Sequence, residues 1–269
     1  MDEWEQEPQR RSQLKRKRSI SGVAGVLALL LVGGIAVLNA YLMAEKAPNP
    51  LALVYNGEMV ATPSPNAPDA AQPAAFQQPL ASSPQIPLNQ VETEHLLFMR
   101  EEEKMARDVY QRLFQRWGVS VFASITRSEQ RHVDAVGRQI QRYGVPDPMN
   151  PDIPGQFKDP RLADLYKKLI ARGDRSIESA LRVGGVIEET DIRDLDNAIA
   201  QTRQPEIVRV YTLIQRGSFN HLRAFVHGLE LRGVAYAPSI LDSQRVKQIL
   251  QQPMDTGFFG RNSAAPTAP

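Results

Sequence analysis

Acidic and imidazole side chains recur between residues 103 and 221 at spacings that suit joint chemistry. Glu129 and His132 form a Glu-x-x-His pair, and a helix places side chains three residues apart on one face. Glu103, Glu188 and His221 each lie near the middle of a different stretch with helical apolar spacing. Carboxylates on an apolar helix face are costly unless they are paired or bind a metal ion. These five residues are therefore predicted to form a metal site.

The residue types in the chain restrict the metal. The chain has no cysteine, which excludes disulfides, iron–sulfur clusters and thiolate zinc sites, and it has only four histidines. A site with several carboxylates and two imidazoles suits iron, manganese or zinc. A cage this rich in carboxylates favours two bridged ions of iron or manganese over one zinc ion. The predicted cofactor is therefore iron or manganese, with two ions.

Neighbouring residues leave the ligand set open. Glu102 borders the same helix face as Glu103 and competes with it as the ligand from the first helix. Asp191 shares a face with Glu188 and is an additional candidate. Ser218, three residues before His221, is also kept as a candidate because of its position.

Four other polar residues are interpreted as lying outside the site. Glu101 and Glu189 are predicted to face solvent beside inward-facing acids. His95 comes two helical turns before Glu103, too far to share a site, and is predicted to lie at the surface. His227, six residues after the candidate ligand on the same helix, is predicted to point away from it.

The elements that position these residues are predicted to be helices, because from Glu92 onward apolar residues recur at steps of three and four. Ser176 is a typical N-cap, Pro205 a typical first-turn residue, and Gly118 a typical stop signal. The predicted long helices span about 92–116, 121–143, 176–202 and 205–232, and short helices span about 160–171 and 241–250.

The connections between the long helices predict the topology. The first two are joined by a few residues, as are the last two, so each pair is expected to be antiparallel. About 32 residues, 144–175, separate the two pairs. Two helical hairpins joined by one long crossover are typical of ferritin-like bundles. The predicted fold class is therefore all-α, a ferritin-like four-helix bundle over 92–252, in which the acids and imidazoles meet at one level.

Three motifs resemble those of rubrerythrins. The first-helix sequence Glu103-Lys-Met-Ala-Arg-Asp-Val-Tyr110 is similar to the rubrerythrin pattern Glu-x-x-Ala-Arg-x-x-Tyr. Glu129-x-x-His132 is similar to the second-helix motif, and Glu188-x-x-Asp191 is similar to the third-helix pair of acids. Arg107 and Tyr110 are predicted to lie next to the ligands or at the edge of the core, and Arg107 could pair with an inward acid and orient it.

The stretch from about 92 to 232 resembles more closely an uncharacterised ferritin-like family, domain of unknown function 2202. The sequences that carry this resemblance are Glu102-Glu-Lys-Met-Ala-Arg-Asp-Val-Tyr110, Ser128-Glu-Gln-Arg-His132, Ile187-Glu-Glu-Thr-Asp-Ile-Arg-Asp-Leu195 and Gly217-Ser-Phe-Asn-His-Leu-Arg-Ala-Phe225. The resemblance implies a ferritin-like bundle and leaves the activity open.

One position departs from the di-metal pattern. The fourth helix of such a bundle normally offers Glu-x-x-His, and here Ser218 stands three residues before His221. Asp191 could replace the missing carboxylate. Otherwise the site would hold one ion, or two ions with an open coordination position.

The N-terminal part of the chain predicts a membrane anchor. Residues 1–18 form a basic tail, and residues 19–44 contain no charge, which is long enough for a transmembrane helix. The basic cluster before this span predicts a cytoplasmic N-terminus, a single pass through the cell membrane and a helical domain outside the cytoplasm. A cleaved signal peptide is the alternative.

The segments on either side of the helical domain have a different composition. Residues 45–91 are rich in proline and alanine and are predicted to be a linker, with a hairpin signal at 51–61 around Asn56-Gly57. Residues 253–269 are predicted to be a disordered tail.

The charge balance and the candidate site together define the function hypotheses. A net charge of +2 gives no reason to expect nucleic-acid binding. The first hypothesis is a di-iron or di-manganese redox protein that reacts with oxygen or peroxide. The alternatives are metal capture without catalysis and a metal-free helical interaction module, in which the inward acids form a proton-bearing polar network with Arg107. Taken singly, the Glu-x-x-His pair could lie at the surface, and His221 could be a core histidine bonded to an acid. Whether the chain is an enzyme, which residues would be catalytic and whether it forms a homo-oligomer stay open.

Overall fold

The computed structural model describes residues 86–149 and 151–255, and within these ranges the chain is all-helical, with six helices and no strand. The helices are α1 (Gln90–Trp117), α2 (Ser120–Arg142), α3 (Pro160–Gly173), α4 (Ile177–Gln201), α5 (Pro205–Glu230) and α6 (Ser243–Gln251). Each bound lies within two residues of the bound predicted from apolar spacing.

Local sequence signals define where the helices begin and end. Asn89 caps α1 in a capping box, because its side chain accepts the Glu92 N–H while the Glu92 carboxylate accepts the Asn89 N–H. Gly118 ends α1 with a φ of 66°, a left-handed conformation that glycine adopts without strain. Asp159 caps α3 immediately before Pro160, and Ser176 caps α4.

The four long helices pack around one shared apolar core. α1 packs against α2, and α4 packs against α5; α1 also contacts α4, and α2 also contacts α5. Contacts fix the direction of α1 against α4, because Tyr110 meets Glu188 whereas Glu92, near the start of α1, meets Thr202. These helices are therefore antiparallel, and the middle of each long helix lies at the same height.

The crossover between α2 and α3 is held against α1 by charged groups. Arg100 pairs with Asp147 at 2.8 Å, and Arg107 pairs with Asp152 at 2.8 Å. Asp108, which also contacts Arg107, accepts the Gly155 N–H at 2.8 Å. Buried α1 charges therefore have partners in the crossover. Among the described residues, Arg107 bonds to Asp108, Asp152 and Gln130, and none of them is one of the five candidate ligands.

Two carboxylates that were predicted to face solvent are buried and accept hydrogen bonds. Glu101 accepts the N–H groups of Lys158 and Asp159, which attaches the start of α3 to α1. Glu189 is fully buried and also accepts backbone N–H groups, described below. Apolar spacing alone did not reveal these partners, because they come from loops that are distant in sequence.

The segment between α5 and α6 is attached to α4 by Glu189. Its carboxylate accepts the N–H of Ile240 at 2.9 Å, of Leu241 at 2.7 Å and of Ser239 at 3.2 Å, together with the hydroxyl of Tyr236. One side chain thus satisfies three consecutive amides and fixes the chain that leads into α6.

Several predictions concern residues outside the described ranges. The basic tail 1–18, the transmembrane helix 19–44, the hairpin signal 51–61 and most of the linker 45–91 lie there. Among the described residues, no helix is both long enough and apolar enough to cross a membrane. At the start of the predicted disordered tail, Asp255 contacts α5, because it pairs with Arg216 at 2.5 Å and accepts and donates hydrogen bonds with Asn220.

Replacing Glu189 with alanine is expected to destabilise the domain. The change leaves three amides without their acceptor, which costs about 2–3 kcal/mol of unfolding free energy. Chemical denaturation measures this loss, and hydrogen exchange at Ile240 and Leu241 should become faster. Glu230→Ala is the matched control because Glu230 is an exposed acid. Equal stability of the Glu189 variant and the control would contradict the proposed attachment.

Candidate metal centre

The five residues predicted to form the site converge inside the helical domain. α1 contributes Glu103, α2 contributes Glu129 and His132, α4 contributes Glu188 and α5 contributes His221, and all five are buried. They form two groups, Glu103–Glu129–His132 and Glu129–Glu188–His221, and within each group the candidate ligand atoms lie within 4.8 Å of one another. Glu129 belongs to both groups.

The two oxygens of Glu129 face different histidines. Its Oε2 lies 2.7 Å from Nδ1 of His132, and its Oε1 lies 2.8 Å from Nδ1 of His221. The outer carboxylates complete the arrangement, with Glu103 Oε2 3.3 Å from the first histidine and Glu188 Oε2 3.4 Å from the second. The histidine rings are nearly parallel, 27° apart, with centroids separated by 5.5 Å. The arrangement is therefore nearly symmetric about Glu129.

Several of these atoms are buried without a hydrogen-bond partner among the described residues. They are Oε1 of Glu103, Oε1 of Glu129 and Nδ1 of His221. Oε1 of Glu129 and Nδ1 of His221 lie 2.8 Å apart, but they are not aligned as donor and acceptor. Buried polar atoms normally have partners, and an unmatched group in a native core is often explained by a bound ion or water. Oxygen and imidazole donors that converge in this way fit divalent iron or manganese.

The buried charges shift one another's pKa values. Burial raises the pKa of Glu103 to about 7 even though His132 opposes that shift. Burial alone would raise the pKa of Glu129, but His221 and His132 hold it far below its usual value. Burial would lower the pKa values of both histidines, yet the adjacent carboxylates raise them to about 9 for His132 and about 10 for His221. The metal-free site therefore holds protons that a metal ion would have to displace.

Tyr110 orients the carboxylate of Glu188. Its hydroxyl donates to Oε1 of Glu188 at 2.6 Å, and its ring packs against Phe122 and Phe225 in the core. A partner of this kind fixes the orientation of the carboxylate, so that its other oxygen faces His221. The role predicted for Tyr110 is therefore consistent with its position.

The three additional candidates lie beside the two groups and belong to neither. Ser218 donates a hydrogen bond to Asp191, and burial raises the pKa of Asp191 well above its usual value. Glu102 is buried next to Asp194 and Arg193, and burial likewise raises its pKa well above its usual value. Glu103 thus contributes to a group of candidate ligand atoms, whereas Glu102 does not.

The positions of Gly217 and His95 were not predicted from the sequence. Gly217 on α5 makes room for the ring of His132, because a Cβ atom there would lie 2.7 Å from Nε2 of that ring. Glycine inside a helical pattern is an available signal of such a close approach. His95, predicted at the surface, is buried, and burial lowers its pKa. The exposed His227 lies away from the site, as predicted.

Replacing Gly217 with alanine is expected to weaken metal binding without unfolding the domain. The added methyl group would push His132 away from Glu103 and Glu129, and a displaced ligand typically lowers affinity by about 10- to 100-fold. A calorimetric titration with Mn²⁺ measures the change in affinity. Gly228→Ala on the same helix is the control, because its Cβ would meet only the flexible end of Leu181 at 3.2 Å. Wild-type affinity in the Gly217 variant would contradict this role.

Metal affinity is expected to rise with pH until both histidines have lost their protons, at pKa values of about 9 for His132 and about 10 for His221. Below pH 9 both imidazoles hold protons that binding must release, and each displaced proton changes the affinity by up to about tenfold per pH unit. Mn²⁺ titrations at several pH values measure the slope. His227→Ala, which changes an exposed histidine, should leave the slope unchanged. An affinity that does not depend on pH would show that no proton is displaced.

Comparison with known proteins identifies the family. The model of a family described as "Uncharacterized protein domain (DUF2202)" matches residues 92–253. The uncharacterized protein MJ0754 of Methanocaldococcus jannaschii is 41% identical over 179 residues, which cover 66% of this chain and 97% of that protein. The structure also matches a crystal structure of hypothetical protein MJ0754 with a TM-score of 0.64, and the match covers 65% of this chain and 100% of that chain. The chain therefore belongs to the DUF2202 family.

Proposed function

We propose that this chain is a ferritin-like metalloprotein whose helical domain holds two ions of iron or manganese, with Glu129 between them. The observation that carries the proposal is the position of Glu129, which belongs to both groups of candidate ligands and faces one histidine with each oxygen. Glu103 and His132 would bind one ion, and Glu188 and His221 would bind the other. Glu129 would contribute a ligand atom to each group.

The surroundings of the site support redox chemistry as the proposed activity. Iron or manganese bound there would supply one-electron chemistry toward oxygen or peroxide. The chain itself would orient the ligands and exclude water, because all five candidate ligands are buried. Tyr110 would hold Glu188 in place through its 2.6 Å hydrogen bond.

The helix arrangement supports the ferritin-like assignment. Two antiparallel helical pairs joined by a long crossover, with inward acids at mid-height, match the architecture of di-metal carboxylate bundles. The one departure is Ser218, which replaces a carboxylate expected on the fourth long helix and bonds to Asp191 instead. Glu129 would be the one carboxylate that both groups of ligands share, and Ser218 and Asp191 would stay outside both groups.

Two alternatives share these residues. In the first, the domain captures iron or manganese and does not turn over a substrate. In the second, the domain is a metal-free interaction module, and the close contacts of Glu129 with His132 and His221 are the observation that favours it, because these charges already balance one another. We also propose that residues 19–44 anchor the chain in the cell membrane, with the helical domain outside the cytoplasm.

Elemental analysis of the purified full-length chain tests the proposal. The wild type is expected to bind about two equivalents of iron or manganese, and Glu129→Ala is expected to lose both, because the shared ligand contributes to each position. Glu94→Ala, which changes an exposed acid on α1, serves as the control. A wild type without either metal after loading would leave only the metal-free module.

A separate measurement distinguishes catalysis from capture. Oxygen consumption or peroxide loss by the iron-loaded wild type, absent in Glu129→Ala, would support redox turnover. Full metal loading without either reaction would support capture instead.

A further inference from the structure

We propose that an apolar groove beside α5 and the end of α6 holds the C-terminal segment of the same chain, and that Phe258 and Phe259 fill it. These two residues belong to 256–269, which lie outside the described ranges. None of the described residues that line the groove is a candidate metal ligand, so the inference does not depend on the proposed function.

The groove has a volume of about 590 Å³ and extends along the second half of α5. Two small residues of α5, Ala224 and Gly228, line it and leave space beside this part of the helix. Leu231 and Met254, which also line it, are 70% and 52% exposed. Large apolar side chains that stay exposed around a groove are typical of a surface that binds another segment. The other apolar lining residues are Val119, Val121, Leu181, Val226 and Leu250.

The described chain ends next to this groove. Met254 lines the groove, and the next residue, Asp255, is held on α5. The N–H of Asp255 donates to Oδ1 of Asn220 at 2.8 Å, and its carbonyl accepts from Nδ2 of Asn220 at 2.7 Å. Its carboxylate pairs with Arg216. The segment that follows therefore starts from a fixed point on α5.

The two phenylalanines are close enough to that point to enter the groove. An extended chain spans at most about 3.6 Å per residue, so Phe258 and Phe259 lie within roughly 11 and 14 Å of Asp255. Ala224, in the nearer part of the groove, comes four residues after Asn220, which is about 6 Å along the helix. Both rings can therefore reach the groove when the chain turns back toward the end of α5.

The composition of the segment suits an apolar groove. Residues 256–269 contain one charged side chain, Arg261, and their two large apolar residues are adjacent. Gly257 and Gly260 flank the pair, and glycine allows the chain to turn without strain. A buried aromatic side chain removes about 150–250 Å² of surface from water, which favours burial of both rings.

The charges at the groove also suit aromatic rings. Arg223 and Arg232 line it, and Glu230 is the one acid among its described lining residues. A guanidinium group is attracted to the face of an aromatic ring. The domain makes this contact elsewhere, because Arg245 lies over the ring of Phe219 at 5.6 Å from its centroid. The groove thus offers both apolar area and cations.

Covalent attachment favours this segment over a free partner. A segment joined by a short linker has an effective concentration in the millimolar range, roughly. Asp255 is already held, and it comes only three residues before Phe258, so few further residues lose conformational freedom on binding. A second copy would have to supply the same contacts from its lower concentration in solution.

Engineered cysteine pairs test where the segment lies, because the chain has no cysteine of its own. Gly260→Cys places one thiol beside the phenylalanines. His227→Cys places the second thiol at the groove, and Leu213→Cys places it on the same face of α5 outside the groove. His227 and Leu213 are each seven residues from Asn220, so both lie about 10 Å along the helix from the point where the segment is held.

We expect the pair at the groove to form an intramolecular disulfide about fivefold faster than the pair outside it, because a disulfide requires Cα atoms within about 7 Å. Adding Phe258→Ser and Phe259→Ser to the His227→Cys/Gly260→Cys chain should remove this difference. Oxidation of the full-length chains followed by peptide mass spectrometry measures the rates.

Trypsin digestion of the full-length chain without engineered cysteines gives a second readout. Cleavage after Arg261 should be about tenfold faster in the Phe258→Ser/Phe259→Ser variant than in the wild type, because a bound segment must leave the groove before it is cut. Equal cleavage rates, or equal disulfide rates at the two α5 positions, would overturn the inference. A disulfide that forms only between two chains would also overturn it and would assign the groove to a second copy. Neither measurement requires bound metal, so failure to bind iron or manganese would overturn only the proposed function.

Discussion

The interior of this domain depends on balancing buried charge around Glu129. Its carboxylate lies within 2.8 Å of two imidazoles, each of which also faces a second carboxylate. In an apolar core such charges are tolerated only when each has a close partner of opposite sign or a bound cation. The four long helices must therefore keep their relative heights, because a shift of one turn would separate the charges by about 5 Å.

α1 meets this requirement while it also positions the crossover. The side of α1 next to the centre carries Glu103 and Tyr110, and the adjoining side carries Arg100 and Arg107, which hold the loop between α2 and α3. Lys104 is also buried, and it pairs with Asp108 at 2.6 Å. A helix buried on both faces has few positions whose side chains face only water, which explains why nearly every residue from Leu96 to Tyr110 is buried.

Much of the fold and of the site's composition could be predicted from the sequence, because both follow from local periodicity. The apolar steps of three and four located the helices, and the mid-helix acids and histidines indicated which side chains would converge. Long-range partners could not be found in this way. Glu101 and Glu189 look like surface acids until Lys158 and Ile240 are brought to them by the chain. The direction of Arg107 likewise depends on Asp152, which lies in an irregular loop.

Glu188 and Glu189 are consecutive residues on α4 that connect two distant parts of the molecule. Glu188 faces His221 and Tyr110 in the interior, while Glu189 holds the amides of the segment that leads into α6. Because adjacent helical residues share one rigid backbone, a rotation of α4 that adjusts the first carboxylate must also move the second. A rotation of α4 at the centre of the domain would therefore also move the segment between α5 and α6. A reporter label attached to that segment would detect the movement.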